Sequence, residues 1–214
     1  SESSGLRHPD LFVLHGANPS GTFKAMNTTK PETSLTREIS AKYNFSKNFF
    51  IESTAYKGSV SDVLNRGTST YGYNEIIDIE QEGLENSLIF KNENQKISLS
   101  SAFSKSREGD GTPQLRRPEK QFGVNYSKKF STNVLGPFHL NYDYRHVGKV
   151  EDWKNGSIRA KVDSSDIMNL NLSKDLFGTV WSVNVLNLTD ENYQRPDTYN
   201  QEGRRFVLSF RHKY

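Results

Sequence analysis

Along most of the chain apolar and polar residues alternate one for one, which is the period of a strand and not of a helix. From Ser34 to Phe45, the apolar Ile39, Ala41, Tyr43 and Phe45 alternate with Glu38, Ser40, Lys42 and Asn44. Ile97, Leu99 and Phe103 alternate with Lys96, Ser98 and Ser100; Phe122, Val124 and Tyr126 with Gln121, Asn125 and Ser127. Phe138, Leu140, Tyr142 and Tyr144 alternate with His139, Asn141, Asp143 and Arg145, and Met168, Leu170 and Leu172 with Asn169, Asn171 and Ser173. The last segment sets Phe206, Leu208, Phe210 and Tyr214 against Arg205, Ser209, Arg211 and Lys213. Less regular strands are expected near Phe49–Tyr56 and Thr179–Leu188. Another over Glu75–Phe90 changes phase around Gly83, where a bulge is expected. The pattern predicts roughly nine strands and no helix.

The connections narrow the architecture. Short turns at Ser46-Lys47, Lys91–Asn94, Ser131–Gly136 and Ser173–Phe177 alternate with long polar loops over Leu64–Asn74, Lys105–Leu115, Gly148–Ser164 and Thr189–Gln201. Short turns on one rim and long loops on the other are the layout of a transmembrane β-barrel. Phe45, Phe49, Phe90, Phe130, Phe138, Phe177 and Trp181 lie close to the short turns, as an aromatic girdle at one membrane interface requires. A soluble β-sandwich also alternates, with its apolar face inward, and remains the alternative. An open sheet of this size leaves two unpaired edges, which neither lipid nor water tolerates well. The fold class expected is therefore all-β, an antiparallel transmembrane barrel present in part. Residues 1–33 are read as a loop segment leading in, and 34–214 as barrel strands.

Composition agrees. Only 33% of the 214 residues are hydrophobic, yet 12% are aromatic, with 13 Phe and 10 Tyr, and the mean hydropathy is −0.76. So polar a chain would struggle to fill a soluble core, whereas a wall apolar on one thin outer band and wet inside needs this balance. No run of about 18 apolar residues encodes a transmembrane helix. The chain opens SESSGLRHPD, without Met or a signal peptide, and is expected to be a piece of a larger barrel. With no Cys it has no disulfide framework or thiolate metal site. A net charge of +3 with both signs interspersed gives no sign of nucleic-acid binding. Arg116-Arg117, Lys128-Lys129 and Arg204-Arg205 read as solvated pairs.

Three stretches carry a family resemblance. Asn18-Pro19-Ser20 followed by Thr29-Lys30-Pro31-Glu32-Thr33-Ser34 resembles a "GNP…LKPE(T/S)" segment leading out of an extracellular loop. Leu186-Asn187-Leu188-Thr189-Asp190-Glu191-Asn192-Tyr193 is similar to the "NLFDxxY" of a penultimate strand, and Glu202-Gly203-Arg204-Arg205-Phe206 running to Tyr214 to a closing "GRxxxxSxxxxF/Y" strand. Leu115–Phe122 is a weaker echo of "RRPxHxF". In order and spacing these resemble the end of the TonB-dependent outer-membrane receptors, somewhat closer to the cobalamin type in segment lengths. The resemblance implies the C-terminal nine or so strands of a barrel of about 22, in the bacterial outer membrane and in contact with its lipids. It further implies a plug domain and a TonB-contacting motif upstream, and energised uptake of a scarce ligand such as a ferric siderophore or cobalamin. The barrel assembly machinery would read the C-terminal strand, where His212 departs from the usual hydrophobic residue.

Chemistry is sparse. No Ser–His–Asp/Asn arrangement stands out, so no catalytic residue, cofactor or metal site is expected. His139 falls on the polar face of a strand, and His8, His15 and His146 on loops or loop edges. Glu108–Thr112 echoes a calcium loop without the further carboxylates and reads as a flexible tip. Sequons at Asn27, Asn44, Asn125, Asn155, Asn171 and Asn187 read as polar packing or chance. Ligand contacts are expected on the loops, from Phe12, His15, Tyr71, Tyr73, Trp153, Tyr193 and Tyr199. The function expected is that of a transport receptor; the alternative is a passive or adhesive barrel binding a surface partner, and a barrel enzyme is a third reading.

Overall fold

The computed structural model describes residues 1–9, 30–65, 75–134, 136–154, 158–196 and 198–212. Ten strands form one antiparallel sheet: β1 (Glu2–Arg7), β2 (Glu32–Ser46), β3 (Phe49–Asn65), β4 (Glu75–Lys91), β5 (Gln95–Glu108), β6 (Lys120–Thr132), β7 (Gly136–Val147), β10 (Ser165–Leu176), β11 (Thr179–Leu186) and β12 (Arg205–His212). Each pairs with its neighbour in that order. β8 (Val150–Lys154) and β9 (Ile158–Val162) form a separate hairpin within the connection from β7 to β10. No described residue is helical.

Register shows why the sequence alternates. Phe49, Phe90, Ile97, Tyr126, Tyr142, Leu170, Val185 and Phe206 stand opposite one another in turn, making one apolar row across eight strands. The parallel row Tyr43, Ile51, Leu88, Leu99, Val124, Tyr144 and Met168 lies on the same face. The other face is polar. There the Asn141 amide donates to Asn171 at 3.1 Å and the Asn171 amide to Asn184 at 2.7 Å. His139 stands on this polar face between Lys129 and Ser173.

Among the described residues nothing packs on the apolar face. Ile39 is 79% exposed and Leu208 66%. Among the described residues the buried hydrophobics are Ile79, Val150 and Val162, and none of these belongs to the two rows. A sheet with an apolar face and no core is at rest only where the solvent is itself apolar. Polar groups that do sit in the band are paired laterally: the Ser53 hydroxyl donates to Asn86 at 2.7 Å, and the Asn86 amide to Ser101 at 3.3 Å. Toward the short turns the face turns aromatic. Phe45 and Phe49 lie 5.0 Å apart, Phe130 stacks on Phe138 at 5.4 Å, and Trp181 lies 5.7 Å from Phe210.

Three details differ from the sequence expectation. Residues 1–33 include a strand, β1, whose single Leu6 gives no alternation; it is held by its ladder to β2 and by Arg37–Glu2 and Arg7–Glu32 ion pairs. The register shift falls in β3 between Val60 and Val63, where Asp62 has φ 59°, and the β4 ladder runs unbroken through Gly83. Gly83 instead makes room for the Tyr56 ring directly across from it; a Cβ there would meet the ring at 2.5 Å. The last short turn lies at Phe177-Gly178, not Ser173–Phe177. The strand continues through Leu176, Gly178 takes φ +76°, and its N–H donates to the Asp175 carboxylate at 3.1 Å.

The two faces make opposite predictions for neighbouring residues. In the complete receptor, Leu99→Arg on the apolar face should destabilise by about 2–4 kcal/mol, and Ser98→Arg on the polar face by far less. Denaturant titration in vesicles checks this; equal costs would show that the apolar face does not meet lipid.

Candidate ligand-binding loops

All the long connections leave the same end of the sheet, opposite the short turns. Loop residues 109–119 join β5 to β6, the β8–β9 hairpin lies between β7 and β10, and loop residues 187–204 join β11 to β12. Guanidinium groups tie these three together.

The first seam joins 109–119 to the hairpin. Asp152, 1% exposed, accepts from Arg116 Nε at 2.7 Å and from the Trp153 backbone N–H at 2.8 Å. The Arg116 backbone N–H donates to the Glu151 carbonyl at 2.8 Å, with Arg116 at φ 62°. A buried carboxylate needs such partners, since an unpaired charge there is costly. Arg159 lies 5.6 Å from the Trp153 ring and donates to the Pro113 carbonyl at 2.6 Å, to Glu108 at 2.9 Å and to Glu151 at 3.3 Å. The planar fork of Arg suits this multiple reach better than a Lys would. Arg116 is thus a fastening and not merely a solvated member of a pair.

The tip at 108–112 is also fastened, contrary to its reading as flexible. The Glu108 N–H donates to the Thr112 carbonyl at 2.8 Å, and the Gly109 N–H to the Asp78 carbonyl at 2.9 Å. Gly111 takes φ +87°, a conformation that suits glycine. Hydrogen bonds from the Thr112 backbone N–H and then its hydroxyl hold the Asp110 carboxyl below its ordinary pKa.

The second seam holds 187–204. Asn187, 5% exposed and at φ 49°, donates its amide to the Glu191 carbonyl at 2.9 Å and the Glu202 carbonyl at 3.2 Å. Its side-chain oxygen accepts from the Glu191 N–H at 2.8 Å, so one amide closes both ends of the loop. Asn tolerates this left-handed backbone better than most residues. The Glu191 carboxylate accepts the Asp166 N–H at 3.0 Å, while Asp166 accepts from the Tyr144 hydroxyl at 2.7 Å and lies 2.9 Å from His146 Nδ1. Arg195 reaches back to the connection after β7, donating Nη2 to the carbonyls of Val147 at 3.1 Å and Gly148 at 3.2 Å. Its Nε is buried without a hydrogen-bond partner among the described residues, and burial pushes the guanidinium pKa down.

Of the expected contact residues, Trp153 is half-buried against Arg159, Tyr193 is half-buried, and Tyr199 is 66% exposed. Phe12, His15, Tyr71 and Tyr73 lie outside the described residues. A cleft of about 260 Å³ opens between 109–119 and the hairpin, lined by Gln114, Arg117, Lys149, Glu151 and Lys161 among others. None of Trp153, Tyr193 and Tyr199 lines it. Lys149 is paired with Asp163, whereas Arg117 and Lys161 have no ion pair among the described residues. Among the described residues no group of three or more His, Cys, Asp or Glu side chains could hold a metal ion.

The model of the TonB dependent receptor-like β-barrel family matches residues 3–188. The chain belongs to that family. Its place is the bacterial outer membrane, and its ten-stranded sheet is a stretch of the barrel wall. Among solved structures it resembles the ferripyoverdine receptor of Pseudomonas aeruginosa (16% identity, TM-score 0.75), covering 98% of this chain and 30% of that one. It resembles the FrpB iron transporter of Neisseria meningitidis (13%, TM-score 0.76), covering 100% and 36%. The ferric-catecholate import receptor Fiu of E. coli matches at 16% with a TM-score of 0.73, covering 98% and 32%. At such identities the likeness concerns the fold, and the chain spans about a third of each relative. No match to a curated protein is found.

The seams predict a local effect. Arg195→Met in the complete receptor should leave the barrel folded while amide hydrogen exchange across 187–204 quickens, by roughly tenfold if about 1–2 kcal/mol of hydrogen bonding is lost. Unchanged exchange would show that the loop is held by other contacts.

Proposed function

We propose that the receptor to which this wall belongs takes up a scarce ligand by TonB-driven transport, and that the ligand is a ferric siderophore. The observation that carries the reading is the family match over residues 3–188 on a sheet whose apolar rows fit a membrane wall. The relatives named above bind or import iron or its chelates, which favours iron; they lend no support to cobalamin. The contact with TonB and the plug are proposed to belong to other parts of the receptor.

Within this chain the ligand would meet the loop end. Trp153, Tyr193 and the exposed Tyr199 are proposed as contacts, together with Phe12, His15, Tyr71 and Tyr73. Aromatic side chains give contact area with little conformational entropy to lose. The cleft at Arg117 and Lys161 would favour an anionic chelate.

The test is uptake of radiolabelled iron by cells that lack their own siderophore receptors and carry the complete receptor. Catecholate, hydroxamate and mixed siderophores are supplied in turn, with cobalamin as a separate arm. Uptake of one iron chelate that vanishes on deletion of TonB supports the reading, and Tyr199→Ala should then weaken it by roughly tenfold. Uptake independent of TonB would make this a passive barrel, and uptake of cobalamin alone would replace the ligand.

A further inference from the structure

The apolar face does not fade into the loops; it stops at a row of charge. Lys57 on β3 stands opposite Glu82 on β4, which stands opposite Lys105 on β5. One row nearer the short turns, Ala55, Leu84, Phe103 and Lys120 face one another on the same side. A groove of about 410 Å³ lies at this junction, lined by Lys57, Glu82, Leu84, Phe103, Lys105, Glu119 and Lys120. Its floor is apolar: Leu84 is 41% exposed, Phe103 is 40% exposed, and Phe122 meets Phe103 edge to face at 5.5 Å.

The charges do not cancel. Glu119 is paired with Arg107, and Glu82 is the remaining carboxylate of the groove. None of Lys57, Lys105 and Lys120 is in an ion pair among the described residues. Three ammonium groups against one free carboxylate leave a positive surplus directly above exposed apolar side chains. Its height fits a lipid interface. At about 3.3 Å per residue and a tilt of about 40°, the strand climbs roughly 20 Å from Phe49 in the aromatic girdle to Lys57. That is close to the height of an apolar band, on the side of the long loops, hence at the outer leaflet.

We propose that this groove binds a phosphorylated glycolipid of the outer leaflet, with its phosphates on Lys57, Lys105 and Lys120 and its acyl chains along Leu84, Phe103 and Phe122. Each half of the amphiphile answers one half of the surface: ammonium groups draw phosphate, and the half-exposed Leu84 and Phe103 complete their burial against hydrocarbon. Glu82 stands between Lys57 and Lys105 in the row. The groove lies on the outside of the wall, so the site is independent of the ligand transported through the barrel.

The experiment uses the complete receptor in detergent micelles and measures lipid binding by native mass spectrometry, with bisphosphorylated lipid A as the probe. Lipid A stripped of phosphate, phosphatidylethanolamine and inorganic phosphate are the comparisons. The variant K57Q/K105Q/K120Q should bind lipid A roughly tenfold or more weakly, while K57R/K105R/K120R retains binding and Lys128→Gln, on the same face near the short turns, changes nothing. Heat-modified mobility on gels reports that each variant is folded; if the triple Gln variant is not, Lys105→Gln alone should still weaken binding measurably. Equal binding by the Gln variants, or equal binding of the phosphate-free lipid, would overturn the proposal. Competition by inorganic phosphate at millimolar concentration would overturn the lipid as its source.

Discussion

Everything in this wall depends on lateral pairing of the backbone. A membrane-facing strand has no water to satisfy its N–H and C=O groups, so each must find its partner on the adjacent strand. The ten-stranded sheet does this without a core among the described residues: its rows of opposed residues run from strand to strand, and side chains on both faces are left to their solvents. Side chains that would break the rule obey it locally. Ser53, Asn86 and Ser101 share hydrogen bonds along the apolar face, and Asn141, Asn171 and Asn184 along the polar one. The same demand explains Gly83, which keeps its place in the ladder while the Tyr56 ring fills the space beside it.

At the loop end the constraint changes, because main-chain groups there lack a neighbouring strand. Guanidinium groups replace the ladder. Arg159 and Arg195 spend their donors mainly on carbonyls and carboxylates of other connections, and Asn187 closes its own loop from within. A guanidinium presents several donors in a fixed plane and sheds water more readily than an ammonium, so it can stand in for a missing strand edge. The β8–β9 hairpin adds a small hydrophobic pair, Val150 opposite Val162, which are 7% and 6% exposed.

The wall was legible in the sequence because one period governs it. Ile39, Ala41 and Tyr43 alternate for a physical reason that repeats on nearly every strand, and the short turns and long loops followed from where the alternation breaks. β1 was not legible, since Glu2–Arg7 offers one apolar residue and is held by ladder and ion pairs. β8 and β9 lie in a stretch that is polar as a whole, where each is only five residues long, although Ile158, Ala160 and Val162 do alternate with Arg159 and Lys161. The phase change in β4 was visible, but the register shift itself lies on the partner strand at Asp62, which the pattern of β4 does not encode. The seams were least legible. Arg116 reads as half of a solvated pair until Asp152, far along the chain, is brought beside it, and Arg195 contacts carbonyls that have no signature in any side chain.

The two ends of the apolar face are not equivalent, and that asymmetry orients the wall. Toward the short turns it closes with aromatic rings, from Phe45 and Phe49 round to Trp181 and Phe210. Toward the loops it closes abruptly with Lys57, Glu82 and Lys105, yet the strands do not end there. β3 continues to Asn65, β4 begins at Glu75, and β5 runs on to Glu108. From Lys57 to Asn65 the same pitch and tilt add roughly 20 Å above the lipid. The loops therefore start from the top of a rigid, hydrogen-bonded palisade and not from the membrane surface. A loop anchored there can be tied to its neighbours by a few guanidinium groups, because the strands beneath have already fixed the distances those groups must span.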